Sequence, residues 1–352
     1  MEIGDDMSQS DAPLFGLMDL VRAAFSLPLF SLFLAAVIVG AILIFATRPQ
    51  VALRPAPGGS AEVIRSVQTR YRIERVALAI TAVLVIVVFA VENVLRGYVL
   101  HLGELLPWWR FATAIFVAAL GLGVVAAIEV RGATPAAVPF LSGARRTWTS
   151  FGPRVGLIGG VVVLVAILVT SIAAGLAAYA DSRGDSAWLE IPIPNEETID
   201  PLRLHFYGWT YGAPVLICAA LLAAATWGVL HANASRPYIR PEAVAAEKDA
   251  RRVVARDAVR IATAAMLLGL AGAWRLIASA GTASGLVIDG KNDGAPYEVI
   301  WRYAELAAAA GWAAPVLEVL AFALLLLVAV RIRAPKVPAE AEAAVADAEV
   351  AR

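Results

Sequence analysis

One cysteine, three histidines and three lysines are scattered through 352 residues, and each scarcity excludes something. Cys218 alone allows no intrachain disulfide and no CxxC metal or redox pair. His101, His205 and His231 lie too far apart to clasp a haem or a zinc ion between helices. Charged residues make up only 16% of the chain, well below the roughly one quarter of soluble domains. The formal net charge is zero, so there is no basic surplus to hold nucleic acid. HExxH, GxSxG and the glycine-rich phosphate loop of the Walker type are all missing, which leaves enzyme chemistry poorly provisioned and implies no cofactor. The stretch "IDGKNDGAPYE" starts like a calcium loop at Asp289 but puts Lys291 at the third ligand position and Ile300 at the twelfth, so no metal is expected there.

Apolar residues are present in excess: 60% of the chain, with a mean hydropathy of +0.74. Lipid is the solvent this composition fits. A bilayer core about 30 Å thick needs roughly 20 apolar residues in helix, and seven stretches qualify: 28–46, 76–98, 111–130, 155–180, 211–232, 260–281 and 306–330. No alternating barrel pattern offers another way of pairing the backbone in hydrocarbon. The expected fold is therefore an all-α, polytopic transmembrane bundle of about seven spans. Residues 1–27 form an outer segment with an amphipathic stretch at 14–26, residues 28–332 the membrane domain, and residues 333–352 a flexible cytoplasmic tail. The opening "MEIGDDMSQSDAP" is acidic where a secretory signal needs a basic region, so the first span reads as retained.

Cations set the orientation. Twenty of the 29 lie after spans one, three, five and seven, among them Arg70, Arg131, Arg236, Arg251 and Arg331, whereas the other side carries few cations and the acidic loop Asp181 to Arg203. This places the N-terminus outside and the C-terminus in the cytoplasm. The heavy preference for arginine, alanine and valine suits a bacterial plasma membrane. The basic connections suit anionic lipid heads at about 1 kcal/mol per cation.

A faint repeat accompanies this pattern. Three inward-running spans open with "WRFA" at Trp109, "WTYG" at Trp209 and "WRYA" at Trp301, and each exits into arginine and spaced prolines. One leading helix plus three repeated hairpins is one reading. Interfacial aromatics and ordinary cytoplasmic exits are the other. Small residues at four-residue spacing mark helix contacts: Gly156 and Gly160; Ala265, Gly269 and Ala273; Ala307 and Gly311. The last two sets predict a closely packed final hairpin. "GLG" at Gly121 lies inside a span and reads as packing.

Three ionisable residues interrupt the spans. At 1.5 Å per residue, Glu318 lies roughly 20 Å from Arg331, Arg275 roughly 22 Å from Arg260, and Glu92 roughly 25 Å from Arg75. Charges at that depth face the bundle interior or a wet cavity and are functional by default. We expect Arg275 to pair with Glu318, with Glu92 as a third member. Pro315, one turn before Glu318, is a candidate kink. The competing readings are that Glu92 and Arg275 snorkel to the outer headgroups, Glu92 in a local pair with Arg96, and that Glu318 is a protonated packing residue.

These residues suggest small-solute or proton-coupled transport, or gating, organised around Glu318 and Arg275. The alternative is a non-catalytic subunit or scaffold that binds protein partners or further copies of itself. A lipid-modifying enzyme using outer-face residues such as Glu104, Arg110, Glu190, Glu196, Glu197 and Arg203 is a weaker third reading. A polar cavity reaching Glu318 would favour transport, and a dry interior would favour the scaffold.

Overall fold

The computed structural model describes residues 24–25, 27, 29–46, 61–94, 106–132, 147–194, 199–238, 243–288 and 295–332. Nearly all of the expected outer segment 1–27, the tail 333–352, Arg96 and the stretch around Asp289 lie outside the described residues. The described chain is mostly helical: α1 (Phe30–Ala46), α2 (Ala61–Arg70), α3 (Arg72–Val94), α4 (Thr113–Arg131), α5 (Arg154–Ala177), α6 (Trp209–Ser235), α7 (Val244–Gly281) and α8 (Ala304–Ala329). Helices α3 to α8 are each long and apolar enough to cross a membrane, which is compatible with an integral, multi-pass membrane protein. Helix α1 is apolar but shorter, at 17 residues.

Helix α7 differs from its expected form. The basic stretch before the sixth span was read as a connection, yet the helix runs unbroken for 38 residues, about 57 Å at 1.5 Å per residue. Between Val244 and Leu268 it has neither glycine nor proline and is rich in alanine and arginine, all good helix formers. It is also the central element, in contact with α2 to α6 and with α8. Its most extensive partner is α8, and α1 packs on α8 as well.

Small residues set the approach of α7 and α8. A methyl group added at Gly281 would stand 2.6 Å from the Ala307 side chain, and one at Gly311 would stand 2.9 Å from Ala278. These antiparallel contacts put Arg275 level with Ala313 and Ala314, about one turn short of Glu318. The other expected stripe faces elsewhere: Gly269 meets Ile115 of α4 and Phe111 just ahead of it. Gly156 and Gly160 of α5 lie against Val259 and Thr263 of α7, and Gly121 lies against Thr81 of α3.

Two small antiparallel sheets correct the all-α expectation. One has the order β1 (Tyr179–Ala180), β2 (Ser186–Ile191), β3 (Leu202–His205); the other pairs β4 (Gly285–Leu286) with β5 (Tyr297–Glu298). The signal was present in "SAWLEI", where Ala187, Leu189 and Ile191 are buried and the residues between them are half-buried. The acidic charge of the loop masks it. Both sheets lie at the end of the bundle where α3, α5 and α7 finish. Gly208 joins that sheet to α6, and any side chain there would overlap the Ser186 carbonyl.

Candidate functional site: a charged cavity among the helices

Side chains on a helix lean toward its N-terminus. Helix α7 ends at the strand-bearing face and α8 begins there, so Arg275 leans into the bundle while Glu318 leans up to meet it. The result is a bidentate pair: Arg275 Nε donates to Glu318 Oε1 at 2.6 Å and Nη2 to Oε2 at 2.7 Å. Two parallel charge-assisted bonds are the strongest arrangement these groups can make. Ser31 of α1 adds a third, its Oγ donating to Oε2 at 2.8 Å. The leading helix, set apart from the repeat in the sequence, thus supplies a partner that the sequence did not suggest. Glu318 is only 8% exposed.

The pair lines a cavity of about 290 Å³. Its walls come from α3 (Phe89, Glu92, Asn93), the start of α4 (Phe111, Ala114) with Leu106 and Arg110 ahead of it, α7 (Leu268 to Ser279) and Glu318. Glu92 therefore shares the space, but Arg275 directs its hydrogen bonds to Glu318. Ser31 joins the Arg275–Glu318 pair, and Glu92 lines the same cavity. Pro315 is buried in α8, and the helix runs through it without interruption. The missing N–H leaves the Gly311 carbonyl without its usual helical donor, one turn above the ion pair.

The three aromatics are all found at the strand-bearing end but do different jobs. Trp109 is exposed and meets Trp108 edge to face at 5.4 Å. Trp209 covers Gly175 of α5. Trp301 packs on Phe206 at 5.5 Å and on Gly281, closing the α7–α8 corner. Of the residues weighed for lipid chemistry, Glu190 and Arg203 pair across β2 and β3 at 2.9 Å, and Arg110 lines the cavity.

A second charged cluster, at the opposite end, was missed. Arg236 bonds Glu74 at 2.7 Å and, through Nε, the carbonyl of Glu129 at 3.1 Å. Arg251 donates to the Tyr71 hydroxyl at 3.1 Å, to the Pro237 carbonyl at 3.3 Å and to Glu247 at 3.4 Å, with Tyr238 beneath its guanidinium. Arg70 completes the pair with Glu247 at 3.2 Å. Burial pushes the Tyr71 hydroxyl up, and Arg251 pulls it back. Nearby, Arg331 reaches Asp257 at 3.0 Å. Arg236 and Arg251, counted as connection cations facing lipid heads, are instead 3% and 0% exposed. The overlooked signal was the isolated acids Glu74, Glu129, Glu247 and Asp257, one or two per helix among the arginines that set the orientation.

Among the described residues no group of histidine, cysteine, aspartate and glutamate is arranged to hold a metal ion. Comparison with known proteins returns no family, no curated relative and no solved structure that matches the chain.

Proposed function

We propose that the protein is a seven-span membrane protein that moves, or gates the passage of, a small solute through the cavity at Glu318. In this reading α1 is the first span, the N-terminus is outside, the C-terminus is cytoplasmic, and the membrane is a bacterial plasma membrane. A 17-residue helix suffices at the lower limit for spanning. The cavity itself carries the proposal, because a buried ion pair against a dry helix contact would need only packing, whereas this one borders about 290 Å³ of space.

An Arg–Glu pair at the base of a cavity is a switchable plug. An anionic solute competes with Glu318 for Arg275, and a cationic solute or a proton competes with Arg275 for Glu318. Either event breaks the strongest link between α7 and α8 at mid-depth, beside a helix already short of one backbone bond at Pro315. A gating motion of α8 against α7 follows from that link.

The test uses the single native cysteine. In a Cys218→Ser background, cysteines at Ala114 and Ser279 on the cavity wall should react with a membrane-impermeant thiol reagent added outside, and one at the lipid-facing Val161 of α5 should not. Protection of both cavity positions overturns the reading. The subunit alternative draws support from α5, whose Val155, Ile158, Val161 and Val165 are all about half exposed or more. That face suits a protein partner or a second copy as well as lipid.

A further inference from the structure

The cluster at the arginine-rich end contains one carboxyl group that the ion pairs do not use. Glu129 is 0% exposed, and neither of its side-chain oxygens has a hydrogen-bond partner among the described residues. Its backbone carbonyl accepts from Arg236, but the guanidinium spends Nη1 on Glu74, whose second oxygen is also unpartnered. Gly132 explains how this fits: a side chain there would stand 2.6 Å from Arg236 Nη2, so the guanidinium caps α4 where a β-carbon would otherwise be.

A buried carboxylate without a donor is among the costliest groups a fold can hold. Glu129 also sits in the last turn of α4, where the helix dipole opposes negative charge. The cations of its cluster are Arg236, which bonds its backbone carbonyl and Glu74, and Arg251, which is held by Tyr71, Pro237 and Glu247. Arg70, Tyr71 from the α2–α3 junction, Tyr238 and Glu247 of α7 are the other ionisable groups of this cluster. Both arginines already bond other acceptors, so their pull reaches Glu129 without a hydrogen bond.

We propose that Glu129 is a proton-binding site, neutral in the resting state and exchanging one proton with water at the arginine-rich end. Losing the proton creates a second carboxylate beside the Glu74–Arg236 pair, and the guanidinium must then be shared between two acids on α3 and α4. Proton binding is thereby linked to the packing of those two helices, which also form one wall of the cavity at the other end. The site stands apart from the transport reading, since it binds a proton whether or not a solute moves.

Infrared spectroscopy of the full chain in lipid nanodiscs, titrated from acid to alkaline pH in H2O and in D2O, decides the matter. The wild type should show a protonated-carboxyl band that shifts in D2O and disappears as pH rises. Glu129→Gln should lose that band, and Glu318→Gln should keep it. Glu74→Gln should also lose it at neutral pH, because Arg236 is then free to bond an ionised Glu129; this variant decides the question if Glu129→Gln does not fold. A band that survives Glu129→Gln, or a wild type with no such band, overturns the proposal.

Discussion

The two ends of the bundle use the same chemistry, arginine against carboxylate, and solve different problems with it. At the strand-bearing end one glutamate takes two bonds from Arg275 and one from Ser31 beside open space. At the arginine-rich end Arg251 is enclosed by a hydroxyl, a carbonyl, a carboxylate and an aromatic ring, with no exposed surface. The first arrangement can open at the cost of one pair. The second cannot open around Arg251 without leaving several buried groups unpaired, so those ion pairs hold α2, α3 and α7 together.

Removing one arginine from each end tests that contrast. Arg251→Met strands Glu247 and Tyr71 in a closed interior and should cost about 3–5 kcal/mol, the range for breaking a buried pair. Arg275→Met should cost about 2 kcal/mol, because Glu318 keeps the Ser31 bond and borders open space. Thermal unfolding in detergent should rank the two in that order. Equal losses would remove the distinction between an enclosed arginine and one that borders open space. Adding Glu318→Met to Arg275→Met should recover part of the loss, since the double variant leaves no buried charge.

Packing between α7 and α8 gives the next effect. Gly311→Val places a branched side chain where Ala278 stands 2.9 Å from a hypothetical β-carbon, and overpacking of this kind costs about 1–3 kcal/mol. It should also push the helices apart above Arg275 and lengthen the Glu318 contacts, so labelling of a cysteine at Ala114 should speed up. Ser31→Ala should be milder, about 1 kcal/mol, because the bidentate arginine keeps Glu318 paired. Unchanged stability in Ser31→Ala would mean that α1 does not depend on this bond to dock on α8.

Why some of this was legible in the sequence and some was not follows from what each feature needs. Apolar runs longer than a bilayer core announce themselves, as do deep charges such as Arg275 and Glu318, because both are costly anywhere else. The pair needed only depth and hairpin adjacency to be foreseen. Ser31 is ordinary in composition, and its role depends on α1 docking against α8, which no local pattern encodes. The cluster around Arg251 was hidden by a rule that works on average: arginines after a span orient the chain whether they face headgroups or turn inward, so a tally of cations cannot tell Arg252, which is exposed, from its neighbour Arg251, which is not. The length of α7 was obscured for the same reason, since its first four turns carry the charges that were read as a connection.

The smallest effect at neutral pH separates the ends once more, through one buried tyrosine at each. Tyr207, ahead of α6, is pushed up to about 12 by burial, with the hydrogen bond to Ser171 at 3.2 Å opposing the shift slightly. Tyr71, at the other end, is raised by burial too, but Arg251 stabilises its anion and pulls it back. Both folded values lie above the ordinary 10.0, so each hydroxyl stabilises the fold fully below pH 10 and loses that contribution as pH climbs through its folded value. Ultraviolet titration should show Tyr71 ionising before Tyr207. Tyr207→Phe should lower the melting temperature near pH 7 slightly, by removing the bond to Ser171, and flatten its fall between pH 10 and 12. An alkaline profile identical to wild type in Tyr207→Phe would mean that water reaches this hydroxyl, and that the strand-bearing end is open well beyond the cavity at Glu318.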